Sequence, residues 1–534
     1  MKKEINLIRN TFVITSLLFL GSCRSTDTEN TINGNGISAV SFNLIGTDYV
    51  DSGKLSGQAS IGKGGIPNSD NDVQRHSVLI TPSSIITAEL SPASTTSRVS
   101  ANASLGIKPL AASGNPLTSG MKFRIIAYKN NGDYHTHEDY TVGQPAIPMM
   151  LDNGAAYNIV VYSYGTTSLP TISPGEQTNI SSATVNYDDA NRDFMYQNIA
   201  FTPTNSTNTL NITLRHKVAQ ITTIVNSGSL GNITDITGGL LTPHYSNGSI
   251  PLSTGVMSGR STTTSGAALS FSGLNTSTVT STPVFVNADT GGNATGGFSA
   301  DMTIGGVTKT ISLPNSFKIT PENKSNLTIN LGKCGAYVGP NTNPANYKEF
   351  MCHNLGATTT ADPFTPAAAI HGAKYQWGAQ TGEAGRYVSQ SDDQTNAGAI
   401  TGWKTTGKPD RSWIDASKTA NDPCPAGYRV PTEAQWRAVI SNNNVERVGS
   451  WNNDGNYTTA LYFRNPSNVR TLMLPTAGSR HLVGGTLDVR GYSGNYWSSN
   501  DATSGAYILY FSSSSVTMFP SDRTYGYSVR CVAE

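Results

Sequence analysis

Apolar runs of strand length recur along the first 332 residues of this 534-residue chain, and turns rich in Gly, Ser, Thr and Asn separate them. Residues 123–128, 157–164, 210–214 and 327–331 are runs of this kind. Ser, Thr and Asn compete with the helix backbone for hydrogen bonds and therefore favour turns and strands. No convincing helix pattern occurs before residue 360. The pattern predicts a mainly β N-terminal part that contains two β-sandwiches.

A different module begins near residue 333. All six Trp residues, and every Cys residue except Cys23, lie beyond that point. The segment 422–436 has the pattern of a turn, a short strand and the start of a helix. In that segment Thr432 is the expected N-cap, and Gln435 completes a capping box. This part of the chain is therefore predicted to contain helix as well as strand.

The N-terminus carries the features of an export signal. Lys2 and Lys3 precede an apolar stretch at 12–20 that is too short to span a bilayer stably. The sequence Leu20-Gly21-Ser22-Cys23 resembles a lipobox, which implies a diacylglycerol and an acyl chain such as palmitate on Cys23. We therefore expect residues 1–22 to be a lipoprotein signal peptide and residues 23–38 to be the lipidated cysteine and a flexible tether.

The charge pattern indicates where the protein acts and what it does not bind. Asp27 and Glu29 follow the lipobox and resemble the acidic surface-export signal of Bacteroidetes lipoproteins, so the expected location is the outer membrane, lipid-anchored at the cell surface. Charged residues make up only 13% of the chain and the formal net charge is +1. Without a basic face, binding to nucleic acid is not expected.

The N-terminal part resembles a known family. The strand at 123–128, the segment 154–164 and the sequence Leu214-Arg215-His216-Lys217-Val218-Ala219 are similar to the fimbrillin-like proteins of Bacteroidetes. That resemblance implies a lipoprotein with two transthyretin-like β-sandwiches, which we expect at 39–205 and 206–332. Some members of the family polymerise into pili by donating a strand into a groove opened by proteolysis. Neither a donor strand nor a cleavage site is identified from this sequence.

The C-terminal part, residues 333–534, resembles the Fibrobacter succinogenes major paralogous domain. The resemblance rests on motifs in the expected order, which are 351–356, 374–378, 429–436, 472–478, 496–499 and 526–532. The segment 429–436 is also similar to formylglycine-generating and sulfatase-modifying folds. The resemblance therefore implies an α+β module of C-type-lectin-like fold, with loops presented on one side.

Four cysteines remain in this exported chain, and their even number predicts two disulfides. Three pairings are open from spacing alone. The resemblance to the lectin-like folds pairs Cys424 with Cys531, which would tie the helix entry to the last strand. Cys334 and Cys352 are then left to form the second bond.

Enzymatic and metal-dependent chemistry find little support in the sequence. A formylglycine-generating enzyme needs a second thiol near Cys531, and Ser498 and Ser499 offer none, so no catalytic residue and no cofactor are expected. A calcium lectin site lacks its Glu-Pro-Asn sequence. Trp403, Trp413 and Trp451 lie among polar residues and are candidates for stacking on a ligand, although such residues are more often partly buried core.

Two other motifs are interpreted as ordinary structure. Residues 57–63 match the start of a phosphate loop, but Gly64 replaces the magnesium-binding hydroxyl and Pro67 follows too closely for a helix. His135 and His137 would share one face of a strand, as a metal pair requires, but no third ligand is evident. We expect a loop and a polar strand end, with no bound metal.

The order of the parts leads to the functional hypothesis. A lipid anchor, a β-rich spacer and a Trp-rich distal module suit a structural or adhesive surface lipoprotein, with a fimbrial tip or accessory subunit as one form. The expected partners are the membrane through the lipid, fimbrial subunits, and host or environmental glycans or proteins. The alternative from another class is a carbohydrate-binding surface lipoprotein that captures glycans without polymerising.

Overall fold

The computed structural model describes residues 36–50, 73–93, 118–415 and 417–534. The first strands are β1 (Ile37–Asp48), β2 (Gln74–Thr81), β3 (Ser84–Pro92), β4 (Lys122–Lys129), β5 (Tyr134–Thr141), β6 (Met149–Asp152), β7 (Tyr157–Ser163), β8 (Thr184–Asn186), β9 (Met195–Phe201) and β10 (Asn208–His216). Those that follow are β11 (Ala219–Asn226), β12 (Ile233–Thr242), β13 (Ser249–Pro251), β14 (Ala267–Ala268), β15 (Phe271–Ser272), β16 (Thr278–Ser281), β17 (Val284–Val286), β18 (Gly296–Ile304), β19 (Val307–Phe317) and β20 (Lys324–Lys333).

The C-terminal module contains both of the described α-helices. Its elements are β21 (Gly335–Tyr337), β22 (Tyr347–Glu349), β23 (Lys374–Tyr375), β24 (Tyr387–Val388), α1 (Gln390–Thr395), β25 (Tyr428–Arg429), α2 (Glu433–Asn442), β26 (Asn444–Val448), β27 (Ala460–Arg464), β28 (Arg470–Pro475), β29 (Ser479–Arg480), β30 (Leu487–Asp488), β31 (Gly494–Ala502), β32 (Gly505–Phe511), β33 (Val516–Ser521) and β34 (Val532–Ala533). Short 3₁₀ turns lie at Gly228–Leu230, Pro344–Asn346 and Ala368–Ile370. None of the described helices is long and apolar enough to cross a membrane.

The first domain is built on sheet A, a seven-stranded sheet with the order β5-β4-β7-β9-β10-β1-β6. Strand β7 shows why its sequence is almost continuously apolar. Ile159 and Val161 enter one buried cluster, whereas Val160 and Tyr162, which point the other way, enter a second. Both faces of the sheet are therefore covered at this strand, and the usual alternation of apolar and polar residues is lost.

The second domain consists of sheet B, with the order β15-β16-β11-β20-β3-β2, and sheet C, with the order β14-β12-β18-β19. Both sheets contribute to one apolar cluster, to which β11 gives Ile221 and Val225 and β18 gives Phe298 and Met302. The inward residues of β11 alternate with less buried ones, as in a strand that has one face on the core. The prediction of a mainly β N-terminal part is confirmed.

The division of the chain between these domains differs from the expected boundary at residues 205 and 206. Strands β2 and β3 precede that boundary, yet β3 pairs with β20 in sheet B. Strand β10 follows it, yet β10 pairs with β1 and β9 in sheet A. The apolar pattern reveals that a strand exists, but its partner depends on contacts between distant segments, which a single sequence does not report.

Two parallel strand pairs give the N-terminal part a direction. Strand β1 runs parallel to β10, and both end at the second domain. Two residues separate the end of β10 from the start of β11. Strand β11 runs parallel to β20, and β20 leads directly into Cys334 and the C-terminal module. The chain therefore enters the first domain at residue 37, contributes β2 and β3 to the second domain, and returns to the first domain at β4. It then continues through the second domain and reaches the module after β20.

The C-terminal module contains two three-stranded sheets, β26-β27-β28 and β31-β32-β33, with α2 packed against the second. Thr432 and Gln435 form the predicted capping box at the start of α2. Disulfides join Cys334 to Cys352 and Cys424 to Cys531, as the resemblance implied. The identification of this module with C-type-lectin-like folds stays a prediction.

The turn between β2 and β3 connects the second domain to the module. The carbonyl groups of Pro82 and Ser83 accept hydrogen bonds from the amides of Cys352 and Cys334, both at 2.7 Å. The Ser83 hydroxyl donates to a carboxylate oxygen of Glu349 at 2.6 Å. Because the two cysteines are bonded to each other, one disulfide holds both ends of this contact.

The carboxylate of Glu349 is predicted to make this contact sensitive to acid. Burial raises its pKa, but hydrogen bonds from Lys333 and Ser83 outweigh burial and hold the pKa below the usual 4.5. A depressed pKa stabilises the fold above the unfolded value, and that stabilisation disappears as the pH falls through the folded value. We expect the free energy of unfolding to fall below about pH 4.5, with a smaller decrease in Glu349→Gln.

Denaturant unfolding between pH 3 and pH 7 measures this dependence. Glu89→Gln is the matched control, because Glu89 is also ion-paired but lies on the face of β3, paired with Arg75. An identical acid response in wild type and Glu349→Gln would contradict the prediction.

Candidate functional site: the joint between the two domains

The segment Leu214–Ala219 links sheet A to sheet B, and each of its three basic residues contacts a different acidic residue. Arg215 contacts Asp48 at the end of β1, with a nitrogen to oxygen distance of 3.1 Å. His216 contacts Asp193, and Lys217 bonds to Glu322 in the turn before β20. We call residues 214–219 the joint.

The apolar residues of the joint belong to three different cores. Leu214 lies in the cluster that contains Ile159 and Val161, and Val218 lies in the cluster that contains Val160 and Tyr162. Ala219 lies in the core of the second domain. The His216 ring stacks on Tyr49 with a centroid distance of 4.1 Å and on Phe285 at 6.0 Å. The joint therefore contacts both domains. The Lys217 pair with Glu322 connects the end of sheet A to the turn before β20, whereas Arg215 and Asp48 pair within sheet A.

A cavity of about 270 Å³ opens beside the joint. Strands β1, β9 and β10 form one side of it, and the turn before β20 forms the other. This junction pocket is lined by Asp48, Tyr196, Gln197, Thr213, Arg215, Lys217, Thr254 and Glu322.

The electrostatics of the junction pocket favour a neutral, hydrogen-bonding ligand. Its two carboxylates and two cations are already paired with each other, so the formal charge of the lining sums to zero. A charged ligand would have to break a pair to gain a new one. Hydroxyl groups, in contrast, can use the remaining lone pairs of a carboxylate that is already paired. The pocket therefore suits a small polyhydroxylated molecule.

Tyr196 forms the aromatic part of the pocket wall. Its hydroxyl donates to the carbonyl of Leu252 at 2.6 Å, and the Lys217 ammonium lies 5.9 Å from its ring centroid. Gly255 packs directly on the ring, where a Cβ atom would come within 2.2 Å of two ring carbons. This position requires glycine for close approach as well as for its φ of +66°.

The three tryptophans chosen as candidates for ligand stacking lie elsewhere, in the C-terminal module. Trp413 is 1% exposed, and its indole nitrogen donates to the carbonyl of Asn421 at 2.9 Å. Trp403 is 7% exposed. Trp451 is partly buried and meets Phe511 edge to face. A stacking role for these residues stays a prediction, which requires movement of the module at Trp403 and Trp413.

Trp403 is enclosed by two glycines. A Cβ atom on Gly485 or Gly526 would lie 2.8 or 2.9 Å from the indole carbons. Its indole nitrogen has no hydrogen-bond partner among the described residues. The absence of side chains at the two glycines is therefore what allows this ring to lie between two backbone segments.

The other sequence motifs are placed as follows. Cys23 and residues 57–63 lie outside the described residues. His135 and His137 are both on β5, where the His137 Nδ1 atom shares a 2.7 Å hydrogen bond with the Tyr134 hydroxyl and the His135 ring lies 5.3 Å from the Tyr157 ring. Within the described ranges, no group of three or more His, Cys, Asp or Glu residues could hold a metal ion.

The junction pocket was missed by sequence reasoning. The sequence at 214–219 was one of the segments that resemble the fimbrillin-like proteins. The partners of its basic residues, Asp48, Asp193 and Glu322, lie far away in the chain. Three consecutive basic residues between two apolar strand patterns were the available signal. Such a run needs acidic partners when it is buried, although the sequence does not indicate which ones.

The chain is similar, at low identity and over part of its length, to solved structures of Bacteroides proteins. One from Bacteroides uniformis, described as a "putative cell adhesion protein", is 14% identical, covers 40% of this chain and 86% of its own, and has a TM-score of 0.30. One from Bacteroides fragilis, described in the same words, is 11% identical, covers 55% and 93%, and also has a TM-score of 0.30. One from Bacteroides thetaiotaomicron, described among "putative polysaccharide binding proteins", is 9% identical, covers 39% and 82%, and has a TM-score of 0.26.

TM-scores of this size do not establish a common fold. No protein-family profile matches the chain. No curated protein matches it either.

The pair Lys217 and Glu322 is predicted to stabilise the joint. Lys217 is almost fully buried, so Glu322→Gln leaves its ammonium without a charged partner. We expect a loss of about 1–3 kcal/mol in the free energy of unfolding. Adding Lys217→Met should recover part of this loss, because the unpaired charge is then removed.

Denaturant unfolding of the two single variants and the double variant measures the coupling. Glu89→Gln, which breaks the exposed pair with Arg75, is the control and should cost no more than about 1 kcal/mol. Additive losses in the double variant would show that the pair does not couple the domains.

Proposed function

We propose that this chain is a structural or adhesive lipoprotein of the cell surface, in which the C-terminal module is displayed at the end away from the lipid on Cys23. One observation carries the proposal, which is the direction given by the parallel pairs β1 with β10 and β11 with β20. The tether expected at residues 23–38 must end before β1, which begins at Ile37. The chain therefore enters the first domain at Ile37 and leaves the second at Lys333.

The distance supports a role in display. Strands β10 and β11 follow one another with only two residues between them, so residues 208–226 span up to roughly 60 Å if extended. The joint and the disulfide-held contact at Ser83 both restrict bending, since each is fixed by several polar contacts. A stiff spacer of this kind holds a terminal module away from a membrane better than a flexible linker of equal length does.

A fimbrial tip or accessory subunit is the finer form of this proposal. Its motivation is the resemblance of residues 39–332 to fimbrillin-like proteins. Co-purification with sheared pili would support it, and presence only in the cell-bound fraction would favour a surface lipoprotein that does not polymerise.

We also propose that the chain has no enzymatic role of the formylglycine-generating type. The positions that would need a reactive thiol hold Ser498 and Ser499, which are buried in β31. The Ser498 hydroxyl donates to the carbonyl of Tyr507 at 2.8 Å, and Ser499 bonds to Asp415. Both hydroxyls therefore make structural hydrogen bonds.

The anchor is tested by Cys23→Ala. We expect this variant to leave the membrane fraction and to lose surface labelling, because the lipid can no longer be attached. Arg24→Ala is the matched control, since it alters the next residue and preserves the lipobox. Fractionation and protease treatment of intact cells provide the readouts. Retention of Cys23→Ala on the membrane, or protection of the wild type in intact cells, would refute surface anchoring.

A second candidate function is carbohydrate binding, and the junction pocket is the observation that favours it. We expect neutral sugars to bind there and Arg215→Ala to weaken binding about 10–100-fold, the effect of losing a hydrogen bond to a charged group. The Arg215 pair with Asp48 is well exposed, so its loss should change stability by at most about 1 kcal/mol.

Isothermal titration with a panel of neutral mono- and oligosaccharides measures this binding. Arg75→Ala is the matched control, because Arg75 has an equally exposed partner in Glu89 and does not line the pocket. Equal affinities of Arg215→Ala and Arg75→Ala would place any sugar site elsewhere, with the exposed loops of the C-terminal module as the next candidates.

A further inference from the structure

The C-terminal module contains a buried cluster of charged side chains that neither function uses. Lys374, Asp393, Arg480 and Arg490 are 0%, 1%, 0% and 5% exposed. Asp393 contacts Arg480 at 2.7 Å, Arg490 at 2.8 Å and Lys374 at 3.4 Å. One carboxylate therefore lies among three cations.

The cluster carries an excess of positive charge. Among the described residues, Asp393 is the only carboxylate paired with these cations. Burial lowers the pKa of Lys374, and the neighbouring Arg490 and Arg480 lower it further. Arginine does not lose its proton in proteins, so an excess of at least one charge remains even when Lys374 is neutral. A buried charge without a counterion is strongly unfavourable.

The donors of Arg480 are all used, which assigns it a structural role. Its Nε atom bonds to the Asp393 carboxylate, and its Nη atoms bond to backbone carbonyls in two loops and at the end of α1. Arg480 therefore needs no further partner.

Polar atoms without partners occur at Arg490 and His371, and a neutral His371 ring supplies one donor and one acceptor. The Nε atom of Arg490 and both ring nitrogens of the fully buried His371 have no hydrogen-bond partner among the described residues. Lys374 makes one long hydrogen bond, 3.4 Å, although an ammonium has three donors. Buried donors in native proteins are almost always satisfied.

Two of these residues contact the same aromatic ring. The ring of Tyr457 lies 4.8 Å from the His371 ring and 5.0 Å from the Arg490 guanidinium carbon. Arg490 also donates to the Tyr457 hydroxyl at 2.8 Å. The charges of Lys374 and Arg490 act directly on His371 and lower its pKa, after burial as the main cause. Tyr457 therefore contacts both His371 and Arg490, and Lys374 lies near enough for its charge to act on His371.

We propose that His371, Lys374 and Arg490 bind a small monovalent inorganic anion, of the size of chloride. Such an anion neutralises the excess charge and accepts hydrogen bonds from the unfilled donors. The nearly complete burial of these side chains limits the ligand to very few atoms, and a dianion such as sulfate would exceed the charge that remains when Lys374 is neutral. The anion is a structural ligand of the module, because Lys374 and Arg490, two of the residues that bind it, also contact Asp393 in α1.

The consequence is a stability that depends on the identity of the anion. A ligand that binds only the folded state raises stability with its concentration. We expect the melting transition of the module to rise by roughly 5–10 °C at a hundredfold excess of chloride over its dissociation constant. Chloride is replaced by gluconate at constant ionic strength, so that screening of surface charges stays the same.

Lys374→Met is the informative variant, because it removes the amino group and its donors while it keeps a long, unbranched side chain. It should reduce the chloride response at least twofold. Arg437→Ala is the control, since Arg437 forms an exposed pair with Glu433 on α2. That variant should keep the full response.

Bromide provides a direct test in the unmodified protein, and it remains available if Lys374→Met fails to fold. Crystals of the full chain grown with bromide should show an anomalous peak within hydrogen-bonding distance of Arg490 Nε and His371. A peak together with a chloride-dependent melting temperature supports the proposal. An ordered water without anomalous signal, or equal melting temperatures in chloride and gluconate, overturns it.

Discussion

The arrangement of the N-terminal domains depends on the passage of one continuous chain from sheet A to sheet B. Strands β10 and β11 are separated by Lys217 and Val218 alone. With so short a connection, the two domains cannot separate unless the pair of Lys217 with Glu322 breaks. Glu322 has a φ of +65°, a left-handed conformation that is costly for a residue other than glycine. Its carboxylate bonds to Lys217, which explains why a charged residue is present at a strained position.

The position of β2 and β3 extends the same principle to the C-terminal module. These strands come early in the chain but complete sheet B beside β20, and their turn contacts the amides of Cys334 and Cys352. Sheet B of the second domain therefore includes two strands that precede most of the first domain in the chain. Non-local pairing of this kind closes long loops, which makes folding slow but leaves the finished domains interlocked.

Sequence reasoning identified strands and the capping box because each depends on residues close together in the chain. Thr432 and Gln435 are three residues apart, and the apolar run of β7 is contiguous. Sequence reasoning failed for contacts between residues that are far apart in the chain. The placement of β10 in sheet A and the ion pairs of Arg215 and Lys217 depend on contacts across the fold. The polar residues around Trp403 and Trp413 left both ligand stacking and a partly buried core open. In the structure two glycines pack against Trp403, and the Trp413 indole donates to a backbone carbonyl.

Buried charge has different consequences in the two halves of the chain. At the joint, the buried Lys217 has its own carboxylate in Glu322, so the two charges cancel and the contact selects one arrangement of the two domains. In the module, Asp393 is paired with three cations, so their positive charge is only partly cancelled and the remaining charge needs a further counterion. Arg530 shows a further solution, since its buried guanidinium bonds to the Asn354 amide oxygen and to backbone carbonyls, and burial lowers its pKa to about 10. Neutral acceptors suffice for one arginine that stands alone, but not for three cations grouped around one carboxylate, because their mutual repulsion adds to the cost of burial.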